Sequence, residues 1–415
     1  MALHTPVNTI ESKICVKFSL HIPLRYGMVK DAHFRGTSTE GITIGVSPVC
    51  SRQYKELSMR TGKSLTEMAA ELERIQNNKR DLIAPVGKIS MDDEGLLDLS
   101  GEKLGMNRWS DGQLASYTDV PKAYYDRLRL ENTALLAQNV NHGLSRKDLD
   151  DKRLIRTLDG QVRAVLSNRY RVLDGYDLFS VVFPILLGQN PEGDQFQVVS
   201  SEITERRMYV RALLPRMEAE VKVGDPVQFG IQVSSSDVGA GSLRIEPLIY
   251  RLVCANGMIT EHAMRKYHVG RAQAQGDDIF ELMSDKTRML NDAAFWASVR
   301  DVLLASMRPE IFEAQVNKLR DAADRHIKNY DLEEVVDVTC KTIGLAANKD
   351  TKQSIIAALA TGNQNAGLTQ WGLANSFTAV AATNETIGFD DVVELERAGG
   401  HIIDMPLSHW KKIAG

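Results

Sequence analysis

The chain has little that would mark a catalyst. Its four cysteines, Cys15, Cys50, Cys254 and Cys340, lie far apart, with no CxxC pair and no cysteine–histidine cluster at zinc spacing. This excludes a zinc ribbon and gives no disulfide framework. It fits thiols buried as small apolar groups in a reducing cytoplasm. No GxxxxGK[ST] run occurs, and Gly239-Ala-Gly241 lacks the third glycine and following helix of a dinucleotide site, so nucleotide-driven chemistry is unsupported. The nine histidines are scattered, in no order that suggests a Ser/His/Asp or Cys/His arrangement. There is no charged-then-apolar leader and no apolar run of about 18 residues, so we expect neither secretion nor membrane crossing, but a cytoplasmic protein. No cofactor and no metal are expected.

The periodicities that are present point to an α+β fold. Its expected form is a central antiparallel β-sheet with a helical C-terminal layer and a small N-terminal α+β unit. At 415 residues the chain exceeds what one core normally holds, and we place divisions at 1–118, 119–276 and 277–415. Ile14, Val16, Phe18, Leu20 and Ile22 alternate as in a half-buried strand. Ser64-Leu-Thr-Glu67 reads as a capping box that opens a helix carried by Leu65, Met68, Leu72 and Ile75. Residues 86–118 read as loop, with a short helix after Pro121.

Strand-type alternation then recurs around Val165, Met208–Ala212, Val227–Val233 and Leu248–Leu252, interrupted by a helix over Tyr176–Leu187. The later connections are too short for helical crossovers, so antiparallel pairing follows, with Gly239–Gly241 supplying a hairpin turn. From about Asp277 the period becomes 3.6, with Pro309 placed to open a helix and a Thr-, Asn- and Trp-rich helix near Leu368–Ala382.

Charge adds a functional clue. The whole chain carries −4, which is no footprint for a nucleic-acid binder. Between Lys152 and Arg271, however, 16 Lys+Arg stand against 13 Asp+Glu, and nearly all the cations are arginines. Guanidinium is the group best shaped for bidentate phosphate contact and for stacking on bases. In Glu205-Arg-Arg-Met-Tyr-Val-Arg211 a period of two puts Arg207, Tyr209 and Arg211 on one face. A basic face with a ring at its centre is what a groove for single-stranded nucleic acid needs. The plain alternative is the solvated face of an amphipathic strand. Arg163, Arg169, Arg171 and Arg251, then Arg265, Lys266 and Tyr267, extend the candidate set, although Arg163 or Arg251 in an internal ion pair is the structural alternative.

A metal-dependent nuclease is the catalytic alternative. Glu218, Glu220 and Lys222 have the form of a Glu-x-Lys half-site, in which carboxylates hold Mg²⁺, and the same stretch reads as the outer side of a strand.

Val120-Pro-Lys-Ala-Tyr-Tyr-Asp-Arg-Leu128, Gln138-Asn-Val-Asn141, Arg163-Ala-Val-Leu-Ser-Asn-Arg-Tyr-Arg171, Tyr250-Arg-Leu-Val-Cys-Ala-Asn-Gly257 and Trp371-Gly-Leu-Ala-Asn-Ser-Phe-Thr378 form a specific series. Over about residues 120–400 the chain thereby resembles a phage- and plasmid-borne family, the domain of unknown function 932. The resemblance implies a mobile-element setting in a bacterial host and brings no catalytic residues. Together with the basic strands, that setting leads to an expected single-stranded DNA-binding protein. Such a protein acts in single-strand annealing recombination, as a homo-oligomer, beside phage or host DNA-metabolism proteins. A protein-binding or anti-defence factor, using the acidic helical C-terminal part as its interface, is the other non-enzymatic expectation.

Overall fold

The computed structural model describes residues 62–170, 172–190, 193–260, 285–362 and 366–415. The strand expected at Ile14–Ile22 lies outside them. The first helix, α1 (Leu65–Asn78), begins as its sequence dictates. The Glu67 amide donates to Ser64 Oγ and the Ser64 amide to Glu67 Oε2 at 2.8 Å, so two otherwise unpaired N–H groups are satisfied reciprocally. Met68 and Leu72 face the core.

A six-stranded sheet follows, made of β1 (Lys79–Pro85), β2 (Ile89–Met91), β3 (Leu97–Leu99), β4 (Glu102–Met106), β5 (Lys152–Leu158) and β6 (Gln161–Ser167). Its order is β1-β5-β6-β4-β3-β2, with β4 and β6 parallel and the other neighbours antiparallel. Helices α2 (Arg108–Tyr117), α3 (Lys122–Glu131) and α4 (Thr133–Ser145) bury Leu114, Tyr125, Leu136 and Val140 against Leu97, Ile155 and Val162. Residues 86–118 are therefore not loop-dominated. Two of their strands are three residues long, too short to show a period, and α2 is opened by Asn107, whose side chain accepts from the Ser110 amide at 2.8 Å. The division expected at residue 118 falls inside this unit, because β5 and β6 complete its sheet.

After α5 (Gly175–Leu186) come β7 (Gln197–Ile203), β8 (Met208–Lys222), β9 (Asp225–Ser235), β10 (Arg244–Arg251) and β11 (Asn256–Ile259). They form an antiparallel meander, β11-β10-β9-β8-β7, as the short connections require. One face, carrying Val210, Ala212, Phe229, Ile231 and Ile249, shares a large core with α1, α5 and the C-terminal helices. Those helices are α6 (Asp285–Ser306), α7 (Pro309–Asp324), α8 (Leu332–Ile343), α9 (Lys349–Ala360), α10 (Gln370–Thr383), α11 (Phe389–Asp404) and α12 (Leu407–Ala414). Pro309 is the first residue of α7, where its missing N–H costs nothing, and Phe312 one turn later meets Phe229 edge-on at 5.7 Å.

The α+β expectation, a central antiparallel sheet with a helical layer, is met. α10 is buried along most of its length, which explains its small and polar composition: Asn375 and Ser376 return hydrogen bonds to carbonyls four residues back. α11 lies directly on the end of β11. A Cβ on Gly400 would stand 1.9 Å from the Ile259 carbonyl oxygen, so only glycine permits this approach.

Candidate nucleic-acid interface

Arg207, Tyr209 and Arg211 do share one face of the second sheet, but that face is covered. α11 crosses it and sets carboxylates opposite the basic residues. The Tyr209 hydroxyl donates to Asp390 at 2.5 Å, Arg206 pairs with Asp390 at 2.8 Å, and Arg207 stands 3.6 Å from Glu394. Arg211 is fully buried in a two-pronged pair with Glu396 and also donates to Gln232 at 2.8 Å. Phe389 completes the cover, its ring 4.9 Å from the Arg211 guanidinium and 5.2 Å from the Tyr209 ring.

Tyr209 and Arg211 are therefore corrected from strand-contacting to internal residues. The reason is electrostatic: a buried guanidinium needs a carboxylate, and α11 supplies one. Burial pushes the Glu396 carboxyl up to about 7, with Arg211 pulling the other way. The acidic residues expected to form a C-terminal interface are partly spent here, since Asp390 and Glu396 face the sheet rather than solvent.

Arg251 is corrected likewise. At 1% exposure it is clamped by Asp225, which accepts from Nε at 2.5 Å and from Nη2 at 3.0 Å, and the Trp371 indole N–H donates to the same carboxylate at 2.8 Å. Nearby, Asn256 donates to Thr378 Oγ1 at 2.5 Å. The series Tyr250–Gly257 and Trp371–Thr378 thus converge in one buried polar core that ties β10 and β11 to α10. Asp225 is the member that sequence reasoning missed. Its position just after a Gly224 turn was visible, but its partners were not.

Of the remaining candidates, Arg171, Arg265, Lys266 and Tyr267 lie outside the described residues, and Arg169 is exposed on the loop after β6. Arg163 and Arg207 come together. They line one narrow cleft between the two sheets, with Gln76, Asp174, Tyr176, Thr204, Ser235 and Asp237 among its other walls.

The tip of the β9–β10 hairpin forms one side of this region. Gly239 turns it at φ +78°, and Val238 is buried against Leu154, Ala164 and Leu166 of the first sheet. Side chains from both units grip its carbonyls: Arg156 donates to Asp237 O at 2.6 Å, Trp109 to Val238 O at 2.8 Å and Arg207 to Ala240 O at 2.6 Å. Arg163 donates through Nη2 to the Asp237 carboxylate at 2.5 Å, whereas its Nη1 is buried with no partner among the described residues. Gln76 Oε1, also on the cleft wall, is equally unpartnered. Beside the hairpin, the Arg206 guanidinium lies 5.9 Å from the Trp109 ring. Trp109 fell in the stretch read as loop, so sequence reasoning did not single it out.

Glu218 and Glu220 are exposed on the outer side of β8. Lys222 instead donates to the Ala323 carbonyl of α7 at 2.8 Å. Among the described residues, no three His, Cys, Asp or Glu side chains are placed to hold a metal ion, and no helix is long and apolar enough to cross a membrane.

A family model described as "Domain of unknown function (DUF932)" matches residues 162–386. No curated protein and no solved structure matches the chain. The matched span holds the Arg163–Arg171, Tyr250–Gly257 and Trp371–Thr378 series, while the pieces at 120–128 and 138–141 lie before it. With more than half of its length matched, the chain belongs to the DUF932 family.

Proposed function

We propose that this protein binds single-stranded DNA at the junction of its two sheets, as a binder rather than a catalyst, in annealing or recombination of mobile-element DNA. One observation carries the reading. Arg163, on the first sheet, and Arg207, in the turn that leads into β8 of the second, line a single cleft in which Arg163 Nη1 has no acceptor among the described residues. A buried guanidinium N–H without a partner costs about 1–3 kcal/mol. A phosphate oxygen in the cleft would remove that cost and add a charge-assisted hydrogen bond.

Beside the cleft the half-buried Trp109 ring, 5.9 Å from an Arg206 guanidinium already paired with Asp390, offers a base a surface to stack on. Binding of successive copies along one strand, the homo-oligomer of the annealing reading, would raise affinity without further contacts. The test is a comparison of labelled single- and double-stranded oligonucleotides at low salt, followed by annealing of complementary strands. Preference for the single strand with faster annealing supports the reading. Equal, weak binding to both favours the protein-partner alternative.

A further inference from the structure

At the open end of the sheet face under α11, three guanidiniums share two carboxylates. Arg397 takes most of the negative charge: it donates to Glu246 at 2.7 and 3.0 Å and to Glu394 at 3.0 Å. Arg207 keeps the Ala240 carbonyl and a 3.6 Å approach to Glu394. Arg244 is left with least. Among the described residues it has one ion pair, at 3.6 Å to the already engaged Glu246, and no hydrogen bond from its guanidinium. The group therefore carries one cation more than it has carboxylates.

Arg244 is neither free in solvent nor neutralised, with its side chain 24% exposed. Burial first, and then the Arg397 charge beside it, push the Arg244 guanidinium below its ordinary pKa, with Arg207 adding to the same effect. A protein that crowds three guanidiniums leaves a place where an anion is favoured.

We propose that Arg207 and Arg244 form a phosphate seat that continues the cleft of Arg163. Phosphate suits it for geometric reasons. Its tetrahedral oxygens accept at once from two guanidiniums, one in the turn before β8 and one at the start of β10, and its charge offsets the surplus. The phosphate comes either from a nucleic-acid backbone or from free phosphate, and the nucleic-acid source rests on the function proposed above.

The experiment uses the full chain, Arg244→Gln and Arg244→Lys. Arg244 is partly exposed and its guanidinium makes no hydrogen bond among the described residues, so both variants should fold; far-ultraviolet circular dichroism checks this. Inorganic phosphate titrated at constant ionic strength should raise the melting temperature of the wild type, raise it less for Arg244→Lys, and leave Arg244→Gln unmoved. For a labelled oligothymidine, the slope of log K against log salt should fall by about 0.7 in Arg244→Gln, the value for one lost phosphate contact on a single strand. Phosphate protection lost in Arg244→Gln, with an unchanged oligonucleotide slope, assigns the seat to free phosphate. The same loss with no oligonucleotide binding by the wild type keeps the seat and sinks the DNA reading. Equal phosphate protection in all three proteins, with equal slopes, overturns the seat while leaving any wild-type DNA binding in place.

Discussion

Asp225→Ala should be among the most damaging single changes in this chain. Asp225 is 4% exposed and accepts three hydrogen bonds, two from Arg251 and one from Trp371. Removing it strands a guanidinium that is 1% exposed, a loss of about 3–5 kcal/mol for a broken buried pair. The indole N–H loses its acceptor as well, worth about 1–3 kcal/mol. The two losses share one carboxylate and are not additive, so the expected cost is about 4–6 kcal/mol, against a total stability of about 5–15 kcal/mol. Urea unfolding followed by tryptophan fluorescence measures it, because Trp371 reports on its own pocket. Asp225→Leu/Arg251→Met, which removes both charges, should recover most of the loss. A cost below about 1 kcal/mol for Asp225→Ala would refute the claim that this clamp ties β10 and β11 to α10.

Further outcomes follow from the covered face. Glu396 has a folded pKa of about 7 against an ordinary 4.5, so the folded state holds its proton more tightly than the unfolded chain does. Its contribution is complete below pH 4.5 and is lost as pH rises to 7. Wild-type stability relative to Glu396→Gln should therefore fall by about 3 kcal/mol across that window, and a rise would reverse the argument. Tyr209→Phe removes the 2.5 Å bond to Asp390 and should cost about 1–2 kcal/mol in thermal unfolding. Oligonucleotide affinity should not change in that variant, since Tyr209 is fully buried.

Much of the local structure was legible. The capping box of Ser64 and Glu67, the alternation of β8 through β10 and the period-3.6 C-terminal helices were written in short-range patterns. So was the common face of Arg207, Tyr209 and Arg211. What lies on that face was not, because Asp390 and Glu396 stand 181 and 185 residues away from Tyr209 and Arg211. A strand with one basic side reads alike whether water or an acidic helix meets it. Asp390, Asp391, Glu394 and Glu396 carried the missing signal: acids at helical spacing with a sheet to cover. Strands as short as β2 and β3 gave no period, and Trp109 was lost with them. The convergence of Arg163 and Arg207 depended on the β9–β10 hairpin docking on the first sheet, through a buried Val238 that no local pattern distinguishes.

The most direct measurement is the salt dependence of single-stranded oligonucleotide binding by the wild type and by Arg163→Gln/Arg207→Gln. Loss of two phosphate contacts should weaken binding at every salt concentration and lower the slope of log K against log salt by about 1.4, with the fold intact. Wild-type protein that binds no strand at low salt, or a double variant whose slope matches the wild type, would contradict a DNA-binding cleft between the two sheets.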